Sequence, residues 1–199
     1  MKIITAPHPR LREVAEEVKD YDKKFYRFLH DLADTLLKKD NPKGVGLASV
    51  QVDRNYRSFA AILGEANQNS DRPEIELFIN PRIIAHSQDI ILGLKSGEER
   101  FEGCLSIPMF YGPVPRYSWI EVEYDSLSSK QLRQLNNLTP TKRRARFDDF
   151  DARVIQHEYD HLDGILFTDH ILKHDLPLYV EEDGQFVEVS NKKEILSLL

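Results

Sequence analysis

Between Phe25 and Leu37 the apolar residues Phe25, Phe28, Leu29, Leu32, Leu36 and Leu37 recur at helical spacing. That pattern predicts an amphipathic helix laying one face on a core. Asp22 stands where an N-cap belongs, Lys38 and Lys39 suit the C-terminus, and Pro42 stops the helix. The rhythm then changes. Ser58 to Leu63, Glu76 to Ile79 and Trp119 to Tyr124 read as strands, and in the last of these Ile120, Val122 and Tyr124 alternate with charges. Asp89 to Leu94 reads as another short strand and Gly64 to Pro73 as a polar loop. Ser126 to Arg146 is polar and ends in a basic cluster, Lys142, Arg143, Arg144 and Arg146, which reads as a solvated face. Tyr179 to Val187, centred on Asp183-Gly184, predicts a β-hairpin in a tail with a structural role.

A second helix follows Phe147-Asp148-Asp149, with Asp148 or Asp149 as its cap, and ends at Leu162-Asp163-Gly164. Phe150, Val154, His157 and His161 fall on one stripe of it, with Glu158 beside them. Inside it lies Gln156-His157-Glu158-Tyr159-Asp160-His161, an H-E-x-x-H run. Histidines four apart sit one turn above each other, so both imidazoles can bind one metal ion while the glutamate reaches a water on it. The two apolar residues on the same stripe point to a partly apolar cavity.

The third ligand decides the chemistry. A second-helix glutamate of the thermolysin kind is poorly served, because Pro177 and the hairpin pattern surround Glu181 and Glu182. The metzincin pattern wants a histidine where Phe167 stands. Cys104 is the remaining strong donor. A thiolate with two imidazoles leaves one tetrahedral position open, as a catalytic site requires. A closed structural site would need His170 or His174, and both read as surface residues. His8, His30 and His86 have no motif around them.

Composition narrows the partners. With 199 residues, 41% hydrophobic and 30% charged, the chain reads as one soluble globular domain. A net charge of -6 argues against DNA or other nucleic acid as the main partner. No apolar run suits a membrane and the first residues lack a signal-peptide core, so a cytoplasmic protein is expected, or an organelle-matrix one after loss of a presequence. Cys104 is the single cysteine, so no intrachain disulfide can form. Glycine and proline near it suggest a tight backbone rather than a regular core strand.

Three segments together resemble peptide deformylase. They are Gly44-Val45-Gly46-Leu47-Ala48-Ser49-Val50-Gln51, Glu102-Gly103-Cys104-Leu105-Ser106, and Gln156 through Gly164, in that order. The resemblance covers roughly residues 1–170, with 171–199 as a tail of the same domain. It implies an α+β fold, with short antiparallel β-sheets packed around a central metal-binding helix. It implies hydrolysis of the formyl group from the initiator formyl-methionine of nascent polypeptides, releasing formate. Cys104, His157 and His161 would hold one divalent ion, Fe2+ natively, with Zn2+ or Ni2+ in purified protein. Glu158 would move the proton, and the Gln51 amide and the Leu105 backbone N–H would face the oxyanion. Gly44 and Gly46 let backbone approach the substrate, Gly46 touching the formyl group through its main chain, while Val45, Phe150 and Val154 would line the methionine pocket. A transient ribosome contact is compatible with such a substrate.

The chain departs from the family pattern in places. Ser49 replaces a usual alanine; Asp53 and Asp149 replace frequent glycines. Met109-Phe110-Tyr111-Gly112 lacks an arginine that some members use, and the tail lacks a basic docking helix. Two rival readings stand beside the resemblance. One is a metallopeptidase of the H-E-x-x-H type, and the other a metal-stabilised binding module without catalysis.

Overall fold

A computed structural model describes the chain except residues 41, 95, 96, 98, 99, 128–138 and 199. Much of the polar stretch 126–146 therefore lies outside the described residues. Helix α1 (Lys23–Leu37) begins where the Asp22 carboxylate accepts from the Phe25 N–H at 2.7 Å, and it buries Phe25, Phe28, Leu29, Leu32 and Leu36. Its apolar face packs on the first strands, β1 (Gly46–Ala48) and β2 (Ser58–Ala61). A short 3-10 turn, Ser49–Val52, separates the two. The expected polar loop holds a single-turn helix, α2 (Glu65–Gln68).

Strand β3 (Glu76–His86) continues well past Ile79. Pro81 hid that continuation, since proline lacks the N–H a central ladder needs. Here it sits in a register shift between Ile79 and Arg82, and Asn80 takes a φ of 48° while its side chain bonds the Val18 backbone. Then follow β4 (Ile90–Ile91), β5 (Glu102–Cys104), β6 (Ile107–Gly112), β7 (Arg116–Tyr117), β8 (Trp119–Ser126) and β9 (Thr141–Asp148). Next come α3 (Asp149–Leu162), α4 (Phe167–Lys173), β10 (Tyr179–Glu182), β11 (Gln185–Glu188) and α5 (Lys192–Leu196).

Among the described residues the named strands pair antiparallel, as expected of short antiparallel sheets. The strands form a five-stranded sheet in the order β1-β2-β3-β8-β9, a four-stranded sheet β11-β10-β6-β5, and the pair β4-β7. Helix α3 packs against β1 and β2 of the first sheet. A core cluster of Val50, Phe59, Phe78, Ile120, Val154 and Ile155 fills that contact. A further cluster under the four-stranded sheet joins Cys104, Ile107 and Phe167 to Leu178 and Leu196 of the tail. The tail turns at Asp183 (φ 51°) and Gly184 (φ 78°), two left-handed residues as a tight hairpin needs.

One expectation needs correction. Asp148 occupies the N-cap of α3, but its carboxylate bonds Arg146 at 3.0 and 3.1 Å, and no side chain caps the helix. The basic cluster lies on β9 and is solvated, yet each cation meets an acid: Arg144 with Glu121, Arg143 with Glu76, Lys142 with Asp125, Arg146 with Asp148. The strand presents little uncompensated positive charge. Asp53 and Asp149, which stand at frequent glycine positions, have φ of 58° and 54°. Aspartate is among the few residues that tolerate this left-handed region.

Candidate active site

Strand β5 and helix α3 bring the ligand candidates together. The donor atoms of Cys104, His157 and His161 all lie within 4.8 Å of one another, the only such group among the described residues. Cys104 Sγ is 3.2 Å from His161 Nε2. The Ser106 N–H donates to the same sulfur at 3.4 Å, and the Gln51 amide lies 3.5 Å from it. Burial opposes ionisation of Cys104, but His161 and His157 outweigh it and draw the thiol well below its ordinary range. The residue is then a thiolate, the form that ligates metals.

Histidine 157 is oriented from behind. Its Nδ1 lies 3.0 Å from Glu102 Oε2, so Nδ1 carries a proton toward the carboxylate and Nε2 is turned to the donor group. Glu102 also accepts from Arg116 Nε and Nη2, both at 2.9 Å, and from Arg153 Nη1 at 2.8 Å. Burial would push the Glu102 carboxyl up; Arg116 and His157 overcome it and hold the group ionised. Arg116 reaches on to Asp160 at 2.6 Å, and Asp160 bonds His170 at 2.8 Å. His170 is thus half-buried and tied to a carboxylate, not the surface residue expected, and it does not join the donor group.

Glu102, Arg116, Arg153 and Ser106 carry no role in the motif reading. A metal-bound histidine nearly always donates its second N–H to an acceptor such as a carboxylate, a rule that calls for a partner without saying which residue supplies it. Replacing Glu102 by Gln should weaken metal binding by about 10–100-fold, the usual cost of losing such a partner. A competition titration with a chromogenic chelator on folded protein would read this. Unchanged affinity would detach Glu102 from the metal.

Gln51 sits at the end of the 3-10 turn. The Ala48 N–H donates to its Oε1 at 2.7 Å, which turns the amide nitrogen toward Ser106 Oγ at 3.2 Å and the thiolate. Glu158 is 4% exposed, and its Oε2 has no hydrogen-bond partner. Burial pushes its carboxyl up to about 7, against the pull of His157 and His161. Gly46 makes room for it: a Cβ at that position would lie 2.6 Å from Glu158 Cδ.

These groups open on a cavity of about 290 Å³. Gly44, Val45, Gly46, Gln51, Leu105, Phe150 and Val154 line it with Cys104, His157 and Glu158, while His161 lies behind them, 1% exposed. The Arg100 guanidinium stacks 4.4 Å over the Phe150 ring at its side. A buried thiolate, two imidazoles and a carboxylate with a free oxygen fit a divalent metal with a water beside it.

Residues 1–176 match the family model described as polypeptide deformylase. The chain belongs to that family. It is 36% identical over 197 residues to peptide deformylase 2 of Nostoc, covering 97% of each chain. It is 37% identical over 183 residues to peptide deformylase 1 of Bacillus subtilis, covering 92% of this chain and 94% of the relative. Among solved structures, a peptide deformylase from Plasmodium falciparum aligns over 98% of this chain and 91% of its own, with a TM-score of 0.68 and 26% identity. One from Synechococcus elongatus, in complex with actinonin, aligns over 92% and 80%, with a TM-score of 0.66 and 28% identity. This deformylase is therefore a metal-binding hydrolase that removes the N-formyl group from nascent polypeptides. No helix among its described residues is long and apolar enough to cross a membrane.

Proposed function

We propose that Cys104, His157 and His161 hold one divalent ion, Fe2+ natively and Zn2+ or Ni2+ by replacement. In this reading Glu158 carries the proton, and Gln51 with the Leu105 N–H receives the oxyanion of a formyl-methionyl peptide. One observation carries the reading: the Glu158 carboxylate, buried with one oxygen unpaired, shares a cavity with two of the three donors and is seated in the notch left by Gly46. When bound, the ion supplies Lewis acidity to the formyl oxygen and to a water. Glu158 Oε2 would accept a proton from the water whose oxygen bonds to the formyl carbon, and would pass it to the amine nitrogen as the C–N bond breaks, leaving formate and a free amine; one carboxylate serves both transfers.

The remaining residues bind and orient. Val45, Phe150 and Val154 offer an apolar wall to the methionine side chain and keep water from it. The backbone at Gly44 and Gly46 runs beside the formyl group. The Ser106 hydroxyl and the Ala48 N–H hold the Gln51 amide in one direction. Residues 171–199 belong to the same domain as 1–170 in this reading, supported by the pairing of β10 with β6. The enzyme meets its nascent substrates in the cytoplasm or an organelle matrix.

Formate release from a formyl-Met peptide by anaerobically prepared protein, with metal analysis on the same sample, tests the reading. Absence of formate from metal-loaded protein would overturn it. Gln51→Leu should lower kcat by roughly 10²–10³-fold, the usual loss for one oxyanion donor. KM should move less, because the oxygen needs the donor most when charged. A raised KM with unchanged kcat would reduce Gln51 to a positioning group.

A further inference from the structure

We propose that residues 3–15 are a positioning strap for the reaction: through the backbone N–H groups of Ile4 and Ala6 they fix the direction in which the Gln51 amide faces the oxyanion. The proposal rests on the reading of Gln51 as an oxyanion donor.

The strap touches each of the three motif segments. The Ile4 N–H donates to the Gln51 carbonyl at 2.8 Å, and the Ala6 N–H to the Ser106 carbonyl at 2.9 Å. Further along, the Ala15 N–H donates to the Leu162 carbonyl at 2.8 Å. Gly164 closes on the Arg12 carbonyl, where a Cβ would lie 2.6 Å from the oxygen. Gln51 belongs to the 3-10 turn after β1, a strand of the five-stranded sheet. Ser106 lies in the turn between β5 and β6 of the four-stranded sheet, and Leu162 ends α3. No strand pair joins the two sheets among the described residues. At this seam the strap is a backbone bridge from one to the other.

Apolar side chains seat the strap on both sides. Ile3 packs on the core cluster that holds α1 and Leu47, while Ile4 and Ala6 pack on the cluster that holds Cys104 and Ile107. Such alternation is that of an extended segment laid between two cores. Leu11, fully buried in the second cluster, anchors the far end, and Arg10 Nε donates to Asp53 Oδ1 at 3.3 Å just past the 3-10 turn. Between the two tied carbonyls runs the chain of bonds that aims the amide. Gln51 Nε2 donates to Ser106 Oγ at 3.2 Å, and the Ser106 N–H donates to the thiolate at 3.4 Å. Both residues are buried, so their side chains have little room to compensate for a backbone shift. Holding the two carbonyls holds the spacing of Gln51 and Ser106, and the donor is then in place before charge develops on the oxygen.

A double-mutant cycle on the metal-loaded enzyme, with a formyl-Met peptide as substrate, tests the strap. Ile4→Pro deletes the N–H that the Gln51 carbonyl accepts. It should lower kcat by about 10-fold, inside the roughly 10²-fold that a misplacement of about 1 Å can cost, with KM and metal content close to the parent. In a Gln51→Leu background the same change should cost less than about 2-fold, because two changes to one interaction do not add. Lys2→Pro, at an exposed position ahead of both bonds, should leave kcat at the parent value. Additive losses, equal slowing by Lys2→Pro, or a kcat unmoved by Ile4→Pro would overturn the strap and leave the oxyanion reading standing. Gln51→Leu with unchanged kcat would overturn that reading and the strap with it. If Ile4→Pro does not fold, Ile4→Ala loosens the same seat with the N–H in place. Its smaller loss in kcat should likewise vanish beside Gln51→Leu; an additive loss, or none at all, overturns the proposal.

Discussion

Glu158→Gln is expected to keep its metal and lose about 10²–10⁴-fold in kcat, the range for removing a general base. The amide has the shape of the carboxylate, so it fits the notch beside Gly46. The donor group of Cys104, His157 and His161 does not include Glu158, so metal content should stay at that of the parent. A glutamine can accept a hydrogen bond but cannot take a proton at Oε2 and hand it on. KM should change little, since the methionine wall of Val45, Phe150 and Val154 is untouched. Steady-state formate release and metal analysis on one preparation check both halves. Turnover within a few-fold of the parent would remove Glu158 from the proton path; lost metal would make it a ligand.

Cys104→Ala should lose the metal and, with it, all measurable turnover. Cys104 is the single thiol of the chain, and the imidazoles of His157 and His161 alone form a poor site for a borderline-soft ion. The parent should carry one ion per chain and the variant a small fraction of that by elemental analysis. Full occupancy in the variant would sink the ligand assignment. The same thiolate is the group most open to peroxide, so mild oxidation should release metal and activity together, and early sulfenate damage should be reversed by a thiol.

Periodicity was a faithful guide where a single face decides the element. The Asp22 cap and the Asp183-Gly184 turn rest on contacts within a few residues, and the α1 stripe on a spacing that repeats every turn, so all three are written in order along the chain. The reach of β3 was hidden by Pro81, whose cost vanishes inside a bulge that only the partner strand creates. Motif spacing likewise announced His157, Glu158 and His161, one turn of helix. It was silent on Glu102 as the partner of His157, because the two are 55 residues apart and the bond exists only once β5 lies against α3. The Arg116 and Arg153 contacts to Glu102 were invisible for the same reason. Long-range pairing of single residues leaves no period to read.

The distance along the chain between Cys104 and His161 has a consequence for folding. Their ligand atoms are 57 residues apart in sequence and 3.2 Å apart in space. A link closing a loop of that length removes about 4 kcal/mol of chain entropy from the unfolded ensemble. A metal bound at both ends acts as such a link, fastening the four-stranded sheet to the helix that belongs to the other sheet. An ion held by both residues would then also be a clasp, and protein deprived of it is expected to be inactive and easier to unfold and degrade.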